Sequence, residues 1–174
     1  MTLYSFHIFD RRGKTLFTKQ YNAHFHQKVS SQSEEEQRKL VFGMLFSLRE
    51  IMGTLAPPND GFSEPTVLQS VKTGRCTVHV YETISGMRLV MYTDNFKQSD
   101  GNGNSAVRES LRYIYANIWV EYVVRSPLYR PGDLLAVGDK GEDLGSSNKR
   151  RFDIHSTEFE KRLDALVTKQ KWYK

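Results

Sequence analysis

Leu3-Tyr4-Ser5-Phe6-His7-Ile8-Phe9-Asp10-Arg11-Arg12-Gly13-Lys14-Thr15-Leu16-Phe17-Thr18 opens the chain and decides how the rest is read. Its first seven residues are mostly aromatic or β-branched. Asp10-Arg11-Arg12-Gly13 then supplies a turn with glycine where a hairpin needs positive φ, and Thr15 to Thr18 resumes the strand. A domain that begins with a β-hairpin grows by adding strands and laying helices across them.

Farther along, Ser31-Gln32-Ser33 precedes Glu34-Glu35-Glu36, which places carboxylates at the positive dipole end of a helix. That helix runs to about Leu55, because Pro57-Pro58 cannot continue it. Residues 57–65 form a turn-rich linker. Val67 to Val71, Thr77 to Glu82 and Met87 to Thr93 then read as three strands, joined by turns at Thr73-Gly74 and Ser85-Gly86. A polar insertion over residues 95–105 lacks core-forming side chains and reads as a flexible loop. A second helix starts near Ser105 or Ala106 and stops close to Arg125, ahead of Pro127. Residues 129–155 are rich in Gly, Asp, Lys and Ser and read as a second flexible loop, and a last amphipathic helix spans about Ser156 to Lys169. The order ββαβββαα gives an α+β fold, with helices around an antiparallel sheet in one domain over residues 1–174.

The composition narrows the function. The chain has 174 residues, a single cysteine and a net charge of +5. Cys76 has no partner for an internal disulfide and suits a reducing compartment. No apolar run is long enough to span a bilayer, and the N-terminus lacks the pattern of a secretory signal. The positive charge is concentrated at one end: Lys149 to Lys174 holds eight Lys or Arg against four acids, so 8 − 4 = +4 lies there. With no aromatic RNA platform and no DNA-reading helix, no nucleic-acid partner is expected.

The chain carries few residues in patterns that chemistry requires. His24 and His26 share one side of an extended segment, but no third metal ligand accompanies them. Gly101-Asn102-Gly103-Asn104 lacks the Lys-Ser/Thr pair and the preceding strand that a phosphate-cradling loop requires. No GxSxG elbow is present, and nothing pairs Glu82 for acid/base work. No catalytic residue, cofactor or metal is expected.

The surplus is hydrophobic instead. Leu40, Val41, Met44, Leu45, Leu48, Ile51, Met52 and Leu55 form one broad face of the first helix and are expected to cover the sheet. Phe42 and Phe46 fall on the other side, among Arg38, Lys39, Arg49 and Glu50. Covering each ring is worth about 2 kcal/mol, which either the last helix or linker, or a partner protein, must supply. On the second helix, Val107, Leu111, Ile114, Ile118 and Tyr122 form a core stripe. Trp119, Val120 and Val123 add apolar surface behind it, which the C-terminal helix is placed to cover. Phe42, Phe46, Arg49, Trp119 and Val123 are the candidate partner contacts.

Certain blocks carry more than pattern. Ile8-Phe9-Asp10-Arg11 with Gly13, Lys39 through Arg49 (KLVFGMLFSLR), His79-Val80-Tyr81-Glu82-Thr83 with Gly86, Val90-Met91-Tyr92-Thr93-Asp94, Ile114-Tyr115 and Val120 through Val124 resemble, in order, the blocks of the TRAPP subunit 1 (Bet five) family, a sybindin-like branch of the longin fold. The resemblance implies a five-stranded antiparallel sheet with the first helix on one face. It implies a non-catalytic core subunit of an assembly that tethers vesicles from the endoplasmic reticulum at the Golgi and exchanges nucleotide on a Rab-type GTPase. The implied partners are synbindin-like and Bet three-type subunits, with the GTPase and any peripheral membrane contact reached through the assembly. The implied location is cytoplasmic, at the cis-Golgi and endoplasmic reticulum. Two other classes stand beside it: a small adaptor-coat longin subunit, and a longin SNARE regulatory domain, which needs a long heptad helix and an anchor that this sequence lacks.

Overall fold

A computed structural model describes residues 2–21, 31–55, 67–95, 103–127, 129, 154 and 156–170. Five strands, β1 (Leu3–Phe9), β2 (Thr15–Gln20), β3 (Ser70–Lys72), β4 (Cys76–Glu82) and β5 (Arg88–Asp94), form one sheet in the order β2-β1-β5-β4-β3. Every neighbouring pair is antiparallel. Helix α1 spans Ser31–Leu55, α2 spans Gly103–Tyr113 and continues as a π-helical segment over Ile114–Val124, and α3 spans Thr157–Lys169.

The opening hairpin closes as its residues require. Asp10 accepts backbone N–H bonds from Arg12 and Lys14 at 2.8 and 2.7 Å, and Gly13 adopts φ 89°. The carboxylate replaces backbone partners that the turn removes, and glycine takes the left-handed geometry without a Cβ penalty.

The sheet has a core on each face. On one, Phe6, Ile8, Leu89 and Met91 meet Val107 and Leu111 of α2, Ile114, Ile118, Trp119 and Val123 of the π segment, and Phe159, Leu163 and Val167 of α3. On the other, Phe9, Val78, Val80 and Val90 enclose Leu45 of α1. Alternation along each strand sends successive side chains to opposite helical layers, which is why β1 and β5 are buried at most positions.

Helix α3 is tied down at its start. Ser156 caps it by accepting from the Phe159 N–H at 3.3 Å, with Glu158 and Glu160 in its first turn. Lys19 of β2 reaches Asp164 at 2.7 Å, and the Ile154 N–H donates to the Leu16 carbonyl at 2.9 Å. These bonds seat α3 over Phe17, whose ring meets Phe159 edge-on at 4.9 Å.

Several boundaries differ from the expected ones. Asn95, placed in a flexible loop by its polarity, is bound by side chain: Thr77 donates to its Oδ1 at 2.9 Å and its Nδ2 donates to the Thr73 carbonyl at 2.9 Å. Gly103 to Ser105 belong to α2. Tyr129 and Ile154, at the ends of the second expected loop, pack against the larger core. The linker at 57–65 and the interior of that second loop lie outside the described residues.

Candidate assembly surface

Helix α1 touches the sheet along a narrower strip than its apolar pattern suggests. Leu45 is its only buried side chain among those described, and Val41, Phe42, Met44, Leu48 and Met52 are half-buried around it. At 3.6 residues per turn, positions three, four and seven away from Leu45 share its face. Phe42 is one of these, so its assignment to the outer face is corrected. Its ring lies 5.8 Å from Phe9 and sits over Gly13, where an added Cβ would stand 2.5 Å from the ring. The Arg88 guanidinium lies 5.0 Å from the same ring centroid. Phe42 is thus a wedge between α1 and the β1–β2 turn.

The opposite correction applies to Leu40, Ile51 and Leu55, expected in the core. They are 73%, 52% and 77% exposed. The sheet accommodates one strip of α1, and these residues fall past its edge, in a row with half-buried Met44 and Leu48. The spacing 40, 44, 48, 51, 55 is that of one continuous helix flank. Its signal in the sequence was the breadth of the apolar face, too wide for a single contact.

Phe46 is exposed, as its place in the helical period predicts, whereas Arg49, four residues from Leu45, turns toward the sheet edge. Phe46 is 48% exposed, stacked on Phe42 at 6.4 Å. Arg49 donates to Glu82 at 3.1 Å while keeping more than half of its side chain in solvent. The same Glu82 oxygen lies 3.6 Å from Nε of buried Arg88, whose Nη1 has no hydrogen-bond partner. Two guanidinium groups therefore share one carboxylate.

Trp119 and Val123 are not surface residues, and their selection as partner contacts is corrected. Trp119 is 0% exposed, with Tyr129 at 6.3 Å and Phe159 at 5.8 Å, both edge-to-face. The physical reason is the helix type. Between Ile114 and Val124 the backbone bonds run i→i+5, as in the Arg125 N–H to Val120 carbonyl bond at 3.1 Å. Each turn then holds an extra residue, so Ile114, Ile118, Trp119 and Val123 align on one side. An α-helical wheel places Trp119 and Val123 behind the stripe; the wider turn brings them into it.

Among the described residues no group of three or more His, Cys, Asp or Glu is placed to hold a metal, and no helix is long and apolar enough to cross a membrane. His79 lies buried in the sheet with Nε2 3.1 Å from Thr93 Oγ1, and burial lowers its pKa from 6.5 to about 4. It is a neutral core residue. His24, His26 and His155 lie outside the described residues.

A sheet with helices on both faces, a wedged α1 and an uncovered α1 flank describe the surface without naming it. A model of the Sybindin-like family matches residues 3–136. The chain belongs to that family. Its curated relatives include the Rattus norvegicus protein named trafficking protein particle complex subunit 1, 35% identical over 130 residues that cover 74% of this chain and 79% of the relative. The Dictyostelium discoideum protein of the same name is 32% identical over 75% of this chain and 82% of its own length. The Saccharomyces cerevisiae trafficking protein particle complex subunit BET5 is 36% identical over 71% of this chain and 72% of its own. The Sybindin-like match includes the β1–β2, β3–β4 and β4–β5 turns, the whole of α1 and the π segment, and stops before α3.

Proposed function

We propose that this Sybindin-like chain is the subunit 1 component of a trafficking protein particle complex, contributing surface rather than catalytic groups. The observation that carries the reading is the uncovered apolar row Leu40, Ile51 and Leu55 on α1, in a chain whose relatives are named as subunits of that complex. A row of this kind costs solvation free energy in water that a neighbouring subunit recovers, at about 25 cal/mol per Å² of apolar surface covered.

On this reading, synbindin-like and Bet three-type subunits cover α1, with Phe46 and Arg49 as candidate contacts on the side of the helix away from the row. The assembled complex tethers vesicles from the endoplasmic reticulum at the Golgi and exchanges nucleotide on a Rab-type GTPase. This chain works on the cytoplasmic side of those membranes and reaches them through the complex.

The test is co-expression with both companion subunits, followed by affinity capture of the wild type, a Leu40→Asp/Ile51→Asp variant and a Phe46→Asp/Arg49→Glu variant. Capture by the wild type and loss in the first variant, with unchanged circular dichroism, is the expected result. A folded wild type that captures neither companion contradicts the reading and favours an adaptor-coat role.

A further inference from the structure

One end of the domain gathers features that the α1 flank does not use. The β1–β2 turn and the β4–β5 turn abut there: a Cβ added at Gly86 would meet the Arg11 Cβ at 2.9 Å. The middle of α1 closes over the same end, through Phe42 on Gly13 and Arg49 on Glu82. At the apex of the β4–β5 turn Ile84 is fully exposed, held out by a rigid turn in which Thr83 bonds Ser85 at 2.9 Å and the Met87 N–H at 3.0 Å. At the same end of the domain stand exposed Arg11 and Arg12, solvent-facing Arg49 on Glu82 and half-exposed Phe46, which stacks on Phe42.

The charge at this end is unbalanced. Asp10 is occupied by its own turn, accepting from the Arg12 and Lys14 N–H groups. Glu82 is shared between Arg49 and Arg88, and Arg88 keeps an unpartnered buried Nη1. The surface therefore presents cations around two apolar side chains, with its nearby carboxylates already engaged apart from exposed Glu50.

We propose that this end is a docking surface for an acidic segment of a partner protein, whose apolar side chains cover Ile84 and Phe46 while its carboxylates meet Arg11, Arg12 and Arg49. The inference rests on the assembly reading, but uses residues separate from the Leu40, Ile51 and Leu55 row. A protein segment fits better than an anionic membrane plane. A chain can place its carboxylates over the arginines and pass Glu50 by, whereas a plane meets Glu50 together with them.

The test places a photo-crosslinking residue at position 84 of the full chain, reconstitutes it with purified companion subunits, and maps the products by mass spectrometry. In parallel, affinity for the companions is measured for wild type and for Arg11→Glu/Arg12→Glu/Ile84→Ser, a variant confined to exposed turn positions whose fold is verified by circular dichroism. The proposal expects cross-links to a partner segment carrying Asp or Glu beside an apolar residue. It also expects at least a tenfold loss of affinity in the variant and a wild-type affinity that weakens with salt. Cross-links only to a second copy of this chain, variant-sensitive binding only to phosphatidylserine vesicles, or unchanged affinity with no cross-link each overturn it. If the variant assembles normally while Leu40→Asp/Ile51→Asp does not, the docking end fails and the assembly reading stands.

Discussion

The ring of Trp119 meets that of Phe159 edge to face at 5.8 Å, locking the π segment to α3. Both rings are fully buried, and Phe159 meets Phe17 of β2 on its other side. Helix α3, which lies beyond the stretch matched by the family, is thereby built into the larger core. Trp119→Ala is expected to cost about 3–5 kcal/mol in urea unfolding. A double-mutant cycle with Phe159→Ala should return a coupling of about 0.5–1.5 kcal/mol. A cost below about 1 kcal/mol for Trp119→Ala would show that the segment does not seat there.

Gly13 and Phe42 form a second coupled pair. Gly13→Ala forces a Cβ into a left-handed conformation and into the Phe42 ring, and should destabilise by about 1–3 kcal/mol. Phe42→Ala removes the ring but not the backbone strain. The two costs should therefore sum to more than the double variant loses, and strict additivity would show that the ring does not occupy that space.

His79 sets an acid limit. Burial holds its pKa at about 4, while the unfolded chain titrates near 6.5. The folded state therefore excludes a proton that the unfolded state binds. Stability is complete above pH 6.5, declines as pH falls toward 4 and levels below it, by about 3 kcal/mol in all. His79→Gln should flatten that window in chemical denaturation series between pH 7 and 4. An unaltered slope would assign the acid sensitivity to other groups.

The legible parts of the fold were those where a local rule and the tertiary packing agree. Asp10 and Gly13 specify their turn by chemistry that acts within a few residues. The sheet followed from apolar, β-branched runs separated by such turns. What period alone could not give was the angle at which α1 meets the sheet. Eight apolar residues fit a broad face, and only the packed sheet shows that Leu45 is its centre, with Phe42 inside and Leu40, Ile51 and Leu55 outside. The cover of Trp119 and Val123 by the C-terminal helix was legible, and Phe159 supplies it, but their selection as partner contacts was not sustained. The i→i+5 register of Ile114–Val124 that aligns them with the core stripe is invisible to a wheel built on i→i+4 bonding. Ile84 went unnoticed because a lone apolar residue in a turn has no periodic signature.

Charge on α1 gives an independent check on the surface. Arg49→Glu places a carboxylate beside Glu82 in a half-exposed position, where the existing pair is worth at most about 1 kcal/mol. Thermal unfolding of the isolated chain should therefore shift by only a few degrees, while affinity for companion subunits falls. Equal loss of stability and affinity would mean that Arg49 acts by holding the fold.

The most direct measurement is hydrogen exchange across α1, Ser31–Leu55, in the free chain and in the reconstituted complex. Burial of the Leu40, Ile51 and Leu55 flank should slow exchange in α1 peptides, while peptides from the already buried π segment change little. A complex that forms with α1 exchanging as in the free chain would contradict the account, because the surface assigned to assembly would still be facing water.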